Sequence, residues 1–295
     1  MIKGIDISEL NGIIDFKKVK EDEVDFVMIR ASYGRFKEDK AFKRNIEGAL
    51  KVGLKVGIYY YSYALTEEQG KEEVNFMLKI IAPYKDKITY PVCIDMEDSD
   101  KYKEKNGFPA NDTLVNICKY ATEQIATSGY YPLVYASASW FNERLSNLPK
   151  TIGKWIAWWN VKEDKIDKTK YMLWQYSSEG KVAGIGTKVD LNYSFQEFDK
   201  LISYLNNIKK IQEIKLKTGL EDISIQFMSC YKHGQDLINK IYLGLQKIKL
   251  RNPKENNIHK IVQKYFGLED KTIVYLENYC YAESLFLKLY RAICE

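Results

Sequence analysis

Residues 90–100 read YPVCIDMEDSD, a short run rich in β-branched and apolar residues that closes on a cluster of acids. Seven further runs of the same character lie on either side of it: IKGIDI from Ile2, DFVMIRA from Asp25, KVGIYYYS from Lys55, YPLVYAS from Tyr131, KWIAWW from Lys154, YMLWQYS from Tyr171 and TKVDLN from Thr187. Each has the length and composition of a strand. Helical patterns separate the early ones, among them FKRNIEGALKV from Phe42 and TEEQGKEEVNFMLKIIA from Thr66. The second opens with Thr66 as N-cap and Gln69 at the capping-box position.

Strand alternating with helix predicts parallel βαβ units, and eight such strands suggest closure into a barrel. The gaps 160–170 and 178–186 are too short for helical crossovers, which take about a dozen residues or more. The expected fold is therefore α/β, an irregular (β/α) barrel with eight strands and about five helices, the helices following the first five strands.

Composition changes near residue 205. All five Trp, 13 of the 17 Gly and five of the six Pro precede that point. Residues 206–295 hold 15 basic and 10 acidic residues, which is the whole net charge of +5, while residues 1–205 are neutral. Two domains follow, the barrel over 1–205 and a small all-α C-terminal domain over 206–295. In the latter, Leu237, Ile241, Leu245 and Ile248 form one apolar face, and Ile273, Leu276, Cys280, Leu287 and Tyr290 a second. Asn252-Pro253 marks a turn, and a bundle of three or so helices is expected. Tyr265, Phe266, Tyr275, Tyr279 and Tyr281 are either sugar contacts or core.

Several functions fit poorly. There is no apolar run of about 18 residues, so no membrane insertion is expected. The start, MIKGIDISEL, lacks the features of a secretory signal, which predicts a chain made in the cytoplasm. Cys93, Cys118, Cys230, Cys280 and Cys294 form no CxxC pair and read as reduced thiols, Cys93 and Cys118 within the core. With only His233 and His259, neither a Cys/His zinc site nor a Ser-His triad is expected. A pI of 8.6 without a basic run argues against nucleic acid.

The chemistry is expected where the strands end. Residues two apart in a strand share a face, so Asp95 and Glu97 point together at the C-terminal end of the fourth strand, the end at which barrel enzymes build their sites. Two carboxylates held close cannot both ionise freely, which yields an acid and an anion at one pH, as glycosidic cleavage requires. Asp6, at the end of the first strand, and Asp190, at the end of the last, would join them, because first and last strands of a closed barrel are neighbours. Such a cluster also suits a divalent metal, but no Gly-rich phosphate loop accompanies it, and neither metal nor cofactor is expected. Along KVGIYYYS, Tyr59 and Tyr61 are expected inside the barrel. Tyr135, Trp158 or Trp159, and Gln175 stand at other strand ends, and aromatic faces with amide donors suit sugar rings.

These segments resemble a known family. GIDISELNG from Gly4, VMIRASYG from Val27, GIYYYS from Gly57, IDMED from Ile94, WIAWW from Trp155 and LWQYSSEGKVAGIGTKVDLN from Leu173 are similar, in order, to the glycoside hydrolase family 25 lysozymes, the Chalaropsis-type muramidases. The resemblance implies cleavage of the β-1,4 bond between N-acetylmuramic acid and N-acetylglucosamine of peptidoglycan, with retention. Glu97 would be the general acid. Asp95 would be the nucleophile or the group that orients the substrate's N-acetyl, and Asp6 and Asp190 would complete the acidic floor. Arg30 would contact substrate or an acid. Asn11 departs from the Gln or His of many relatives. The C-terminal domain would hold the protein on Gram-positive walls or mediate self-association, as suits a phage or prophage endolysin released from the host cytoplasm. The competing reading is an inactive barrel that only binds the wall.

Overall fold

The computed structural model describes residues 1–229, 231, 233–250, 253 and 255–294. The chain divides into two compact units, Met1–Ile202 and Ser203–Glu295.

The first unit contains nine strands: β1 (Ile2–Ile7), β2 (Phe26–Tyr33), β3 (Lys37–Glu38), β4 (Lys55–Tyr61), β5 (Val92–Asp95), β6 (Pro132–Ser137), β7 (Lys154–Ala157), β8 (Leu173–Gly180) and β9 (Val189–Ser194). Strand β3 is a two-residue hairpin partner of β2, too short to leave a pattern in the sequence. The other eight close into a barrel in the order β1-β2-β4-β5-β6-β7-β8-β9, with β9 pairing back to β1. Helices α1 (Phe16–Glu21), α2 (Phe42–Lys51), α3 (Glu67–Ile81), α4 (Tyr102–Lys105), α5 (Asn111–Thr127) and α6 (Ala138–Glu143) fill the connections after the first five barrel strands. Only a short 3-10 turn, Glu163–Lys165, lies between β7 and β8. Eight strands with five main crossover helices, α4 being a single turn, is the irregular barrel expected from the sequence.

Strand β9 departs from the simple expectation. It runs antiparallel to both neighbours, which is why the short β8–β9 connection suffices: a reversal needs no crossover. Asp190 is consequently the second residue of its strand rather than the last. Its start lies at the mouth where the parallel strands end, so Asp190 still stands opposite Asp6 in the register.

Side chains alternate across the barrel wall as the two-residue period demands. Val56, Ile58 and Tyr60 pack outward under the helices, while Tyr59 joins an interior cluster with Met28, Cys93, Tyr135 and Trp155. Gly57 faces inward, where a Cβ would meet the Met28 sulfur at 2.4 Å, so a side chain there would displace the layer beneath the cavity. Phe26, Tyr90 and Phe198 close the opposite end, the first two stacked at 4.5 Å. At α3 the Thr66 hydroxyl accepts from Gln69 N at 3.3 Å, but the Gln69 amide reaches back to Leu65 N rather than to the cap itself.

The described residues of 198–294 carry six helices rather than three or so: α7 (Phe198–Thr218), α8 (Asp222–Ser229), α9 (Gly234–Gly244), α10 (Ile258–Phe266), α11 (Asp270–Glu277) and α12 (Ala282–Cys294). Proline is nearly absent here, its one occurrence being Pro253. Leu237 and Ile241 of α9, Phe266 of α10, Leu276 of α11 and Phe286 and Leu289 of α12 form the core of the second unit. Ile248 is 94% exposed, because α9 ends at Gly244 and the chain turns before the apolar period returns. Cys280 is also exposed and Cys294 half-buried, whereas Cys93 and Cys118 are buried thiols. Cys230 and Asn252 lie outside the described residues. Phe266 and Tyr279 are core, Tyr275 stacks on Phe227, and Tyr281 is the exposed one of the five aromatics considered. No helix among the described residues is long and apolar enough to cross a membrane.

Candidate active site

The C-terminal ends of β1 and β4–β8 and the start of β9 surround a cavity of ≈ 230 Å³. The barrel brings four carboxyls to it, those of Asp6, Asp95, Glu97 and Asp190, together with Arg30, Tyr59, Tyr61, Tyr135 and Gln175. Asp95 is the last residue of β5, paired across the sheet with Tyr61 on one side and Tyr135 on the other, and Glu97 follows two positions later.

Asp6 is held from two sides. Gln175 Nε2 donates to Asp6 Oδ2 at 2.9 Å and Asn192 Nδ2 donates to the same oxygen at 2.7 Å. These amides are themselves fixed: Tyr135 OH and Trp159 Nε1 donate to Gln175 Oε1 at 3.0 and 3.1 Å, and Trp155 Nε1 donates to Asn192 Oδ1 at 2.8 Å. A buried network of this kind fixes the orientation of every member. Asp190 completes it by sharing a hydrogen bond with Asp6, and burial followed by the Asp6 charge pushes its carboxyl up to about 9. Asp190 is therefore the protonated donor and Asp6 the acceptor, even though burial raises Asp6 as well.

The Asp95–Glu97 pair is shifted in the same direction. Burial, with the Lys103 ammonium opposing it, sets Glu97 at about 7. Burial first and Glu97 second hold Asp95 well above the usual carboxylate range. Desolvation therefore outweighs the neighbouring anion in making Glu97 an acid. Asp95 Oδ1 is buried without a hydrogen-bond partner while lining the cavity, which leaves that oxygen to a group of the substrate.

The remaining candidates divide. Tyr61 OH lies 3.3 Å from Ser99 Oγ and accepts from Ser99 N, so its ring edges the cavity with a fixed hydroxyl. Arg30 contacts acids outside the group of four, pairing with Asp39 at 2.8 Å and Glu9 at 3.4 Å. Of the two adjacent tryptophans, Trp159 is the one bonded to Gln175, and its ring is 48% exposed beside the mouth. Asn11 caps the first 3-10 turn by bonding Ser8 N at 2.9 Å. Four participants were not singled out from sequence: Trp155, Asn192, Ser99 and Lys103. Asn192 sits two residues from Asp190 and Trp155 stands opposite Tyr135 in the register, so alternation and strand pairing could have found them. Lys103 left no signal, because it lies in a charged stretch that reads as solvated surface.

Comparison with known proteins agrees with this architecture. A family profile described as "Glycosyl hydrolases family 25" matches residues 5–185. The autolytic lysozyme of Clostridium acetobutylicum is 30% identical over 232 residues, covering 75% of this chain and 67% of that protein. The modular autolysin LytC of Streptococcus pneumoniae, solved in complex with a synthetic peptidoglycan ligand, superposes with a TM-score of 0.58 at 31% identity. That match covers 65% of this chain and 46% of LytC, so the chain spans about half of that autolysin's length. The CTP1L endolysin shares the fold, with a TM-score of 0.56 at 23% identity over 74% of this chain and 79% of its own.

Proposed function

The chain belongs to family 25 of the glycosyl hydrolases, and from that premise we propose that it is an N-acetylmuramidase that cuts the β-1,4 bond following N-acetylmuramic acid in peptidoglycan. The observation that carries the reading is the Asp95–Glu97 pair at the barrel mouth, both members raised by burial and Glu97 poised at about 7. Two carboxyls so coupled titrate as a pair, and the chemistry proposed here takes the proton from Glu97 and the charge from Asp95. Glu97 donates its proton to the glycosidic oxygen as the bond breaks, and Asp95 meets the positive charge that builds at the anomeric carbon or orients the N-acetyl group for internal attack. Asp6, fixed by Gln175 and Asn192 and bonded to Asp190, adds negative potential to the floor. Tyr59, Tyr61, Tyr135 and Trp159 offer ring faces to the sugars, and Arg30 braces the wall of the cleft.

The test is to digest purified Gram-positive peptidoglycan with the full chain, reduce the new ends with borohydride and identify the reduced sugar by mass spectrometry. Reduced muramic acid supports the reading; reduced glucosamine moves the cut to the other bond. Addition of a chelator is expected to leave the rate unchanged.

The role proposed for the protein is that of an endolysin acting on Gram-positive walls after release from the cytoplasm, supported by the fold it shares with the CTP1L endolysin and by the LytC likeness. The helical unit is proposed as the wall anchor, supported by its net positive charge, which suits anionic wall polymers. Sedimentation of an inactive full-length Glu97→Gln variant with walls tests that part, and its sedimentation velocity in free solution tests self-association.

A further inference from the structure

Among the buried charges that the mechanism leaves unused is a cation. Lys103, on the single turn α4, is fully buried. Its ammonium donates to the carbonyl of Glu97 at 2.7 Å and to the carbonyl of Ser62, and lies 5.7 Å from the centre of the Tyr61 ring. Ser62 follows β4 and Glu97 follows β5, so a single cation ties together the ends of two adjacent barrel strands beside the cavity. Asp98 fixes the turn that carries it, accepting from Lys103 N at 2.7 Å and from Glu104 N at 2.9 Å.

A buried ammonium is expensive unless anions and hydrogen bonds compensate it. Compensation comes from each element around it: Glu73 on α3, Asp95 on β5, and Asp98 and Asp100 in the segment leading to α4. Tyr61 on β4 offers a ring face, and Cys118 on α5 is a neutral thiol. Glu73 is anchored opposite, accepting from Ser62 Oγ at 2.6 Å and Tyr63 N at 2.9 Å. A lysine needed only to pin two carbonyls could be replaced by any donor of its reach. The placement of this one against Glu97 and Asp95 adds what a neutral donor cannot.

We propose that Lys103 is a positioning residue for the hydrolytic reaction: it fixes the backbone of Glu97 and supplies the buried cation against which the Asp95–Glu97 pair keeps its negative charge. The proposal rests on the reading of Glu97 as the acid. Its electrostatic side is consistent with the proton affinities of the pair, since Lys103 lowers both carboxyls against burial. Without the cation the pair would retain both protons to higher pH, and less of the enzyme would carry the acid and the anion together.

The experiment is a set of pH–rate profiles for the full chain on purified peptidoglycan, read as new reducing ends, for the wild type, Lys103→Met, Glu73→Gln and Glu97→Gln, with circular dichroism as the check of folding. Lys103→Met is expected to move both limbs of the profile to higher pH by about one unit or more, and to lower the rate on the acid side at least about ten-fold. Glu73→Gln, which removes an anion facing the same ammonium, is expected to move the upper limb to lower pH. A folded Lys103→Met with wild-type limbs overturns the proposal. If that variant does not fold, the Glu73→Gln profile decides, and an unmoved or raised upper limb overturns it. Wild-type activity in Glu97→Gln would overturn the mechanism and this proposal with it, whereas loss there with unmoved limbs in Lys103→Met overturns this proposal alone.

Discussion

The barrel and the helical unit bury different kinds of residue. The barrel unit buries Asp6, Asp39, Glu73, Asp95 and Lys103 at 6% exposure or less. Among the described residues of the helical unit, the buried polar side chains are the hydroxyls of Thr218, Ser224 and Thr272, each within hydrogen-bond reach of a partner. A domain stabilised by apolar packing gains nothing from buried charge and pays for its desolvation. The barrel unit tolerates that cost chiefly around the cavity mouth, with Lys154 at the start of β7 as the exception, and the described residues of the helical unit do not incur it. Buried charge, and the chemistry argued from it, is thus confined to the barrel unit, and each substitution below should act within one of the two units.

The largest effect is expected from Glu97→Gln. The amide keeps the shape of the side chain and removes the proton, so wall hydrolysis should fall by about 10² to 10⁴ while the barrel stays folded, general acid catalysis being worth roughly that factor. Turbidity clearance of cell walls measures it. A variant that kept its rate would break the assignment of chemistry to the barrel mouth.

Next comes a pH dependence that differs between the two units. Glu73 and Glu97 at about 7 and Asp190 at about 9 all bind their protons more tightly in the folded barrel than unfolded. By linkage, the stability they contribute is complete below the ordinary carboxylate range and is lost as pH rises through about 7 and then about 9. In the helical unit, Glu213 and Glu269 are instead held low, chiefly by hydrogen bonds from Lys217 and Lys271, so what they contribute is lost as pH falls. All five Trp lie in the barrel, so their fluorescence follows that unit by itself. The barrel transition should move to lower temperature between pH 6 and pH 9, about the range over which these groups release their protons. A transition that rose over that range would show the acids to be solvated.

The same division explains what could be read from sequence. Parallel barrel strands are covered on both faces, so they announce themselves as apolar runs such as VCID and KWIA, and their alternation placed Tyr59, Tyr61 and Asp95 inside. The direction of β9 was not legible, because strand composition does not encode polarity of the chain. Asp190 reached the mouth only because reversal brings the start of β9 there. Lys103 was hidden for a physical reason: a lysine between charged neighbours is ordinarily solvated, and only the packing of α4 against β4 and β5 buries it. In the helical unit the spacing identified Leu237 and Ile241 but could not show where α9 stops.

Core truncation should affect the helical unit without touching the chemistry. Ile241→Ala removes a fully buried side chain and is expected to cost about 2–5 kcal/mol of that unit's stability, read by hydrogen exchange. The rate on soluble glycan fragments should not change. Smaller again is Asn192→Ala, which leaves Asp6 with one amide donor and the Trp155 N–H unsatisfied. A lost buried partner costs about 1–3 kcal/mol. Here both readouts should move together, barrel stability by thermal melting and rate by reducing-end release, because the network is shared by fold and site.

The smallest effect separates sequence pattern from structure most sharply. Ile248 continues the spacing of Leu237, Ile241 and Leu245, and by pattern alone Ile248→Ser should damage the core as Ile241→Ala does. Its side chain is 94% exposed beyond the end of α9, where Gly244 packs so closely on Phe266 that a Cβ would meet the ring at 2.2 Å. Helix α9 ends at Gly244, one turn before the pattern does, and the exposed isoleucine beyond it has no transfer energy to lose. Ile248→Ser should therefore change stability by no more than about 0.5 kcal/mol, the usual range for surface positions. A loss comparable with that of Ile241→Ala in the same hydrogen-exchange measurement would mean that the apolar face runs on past Gly244 and that the helical core is larger than the one described.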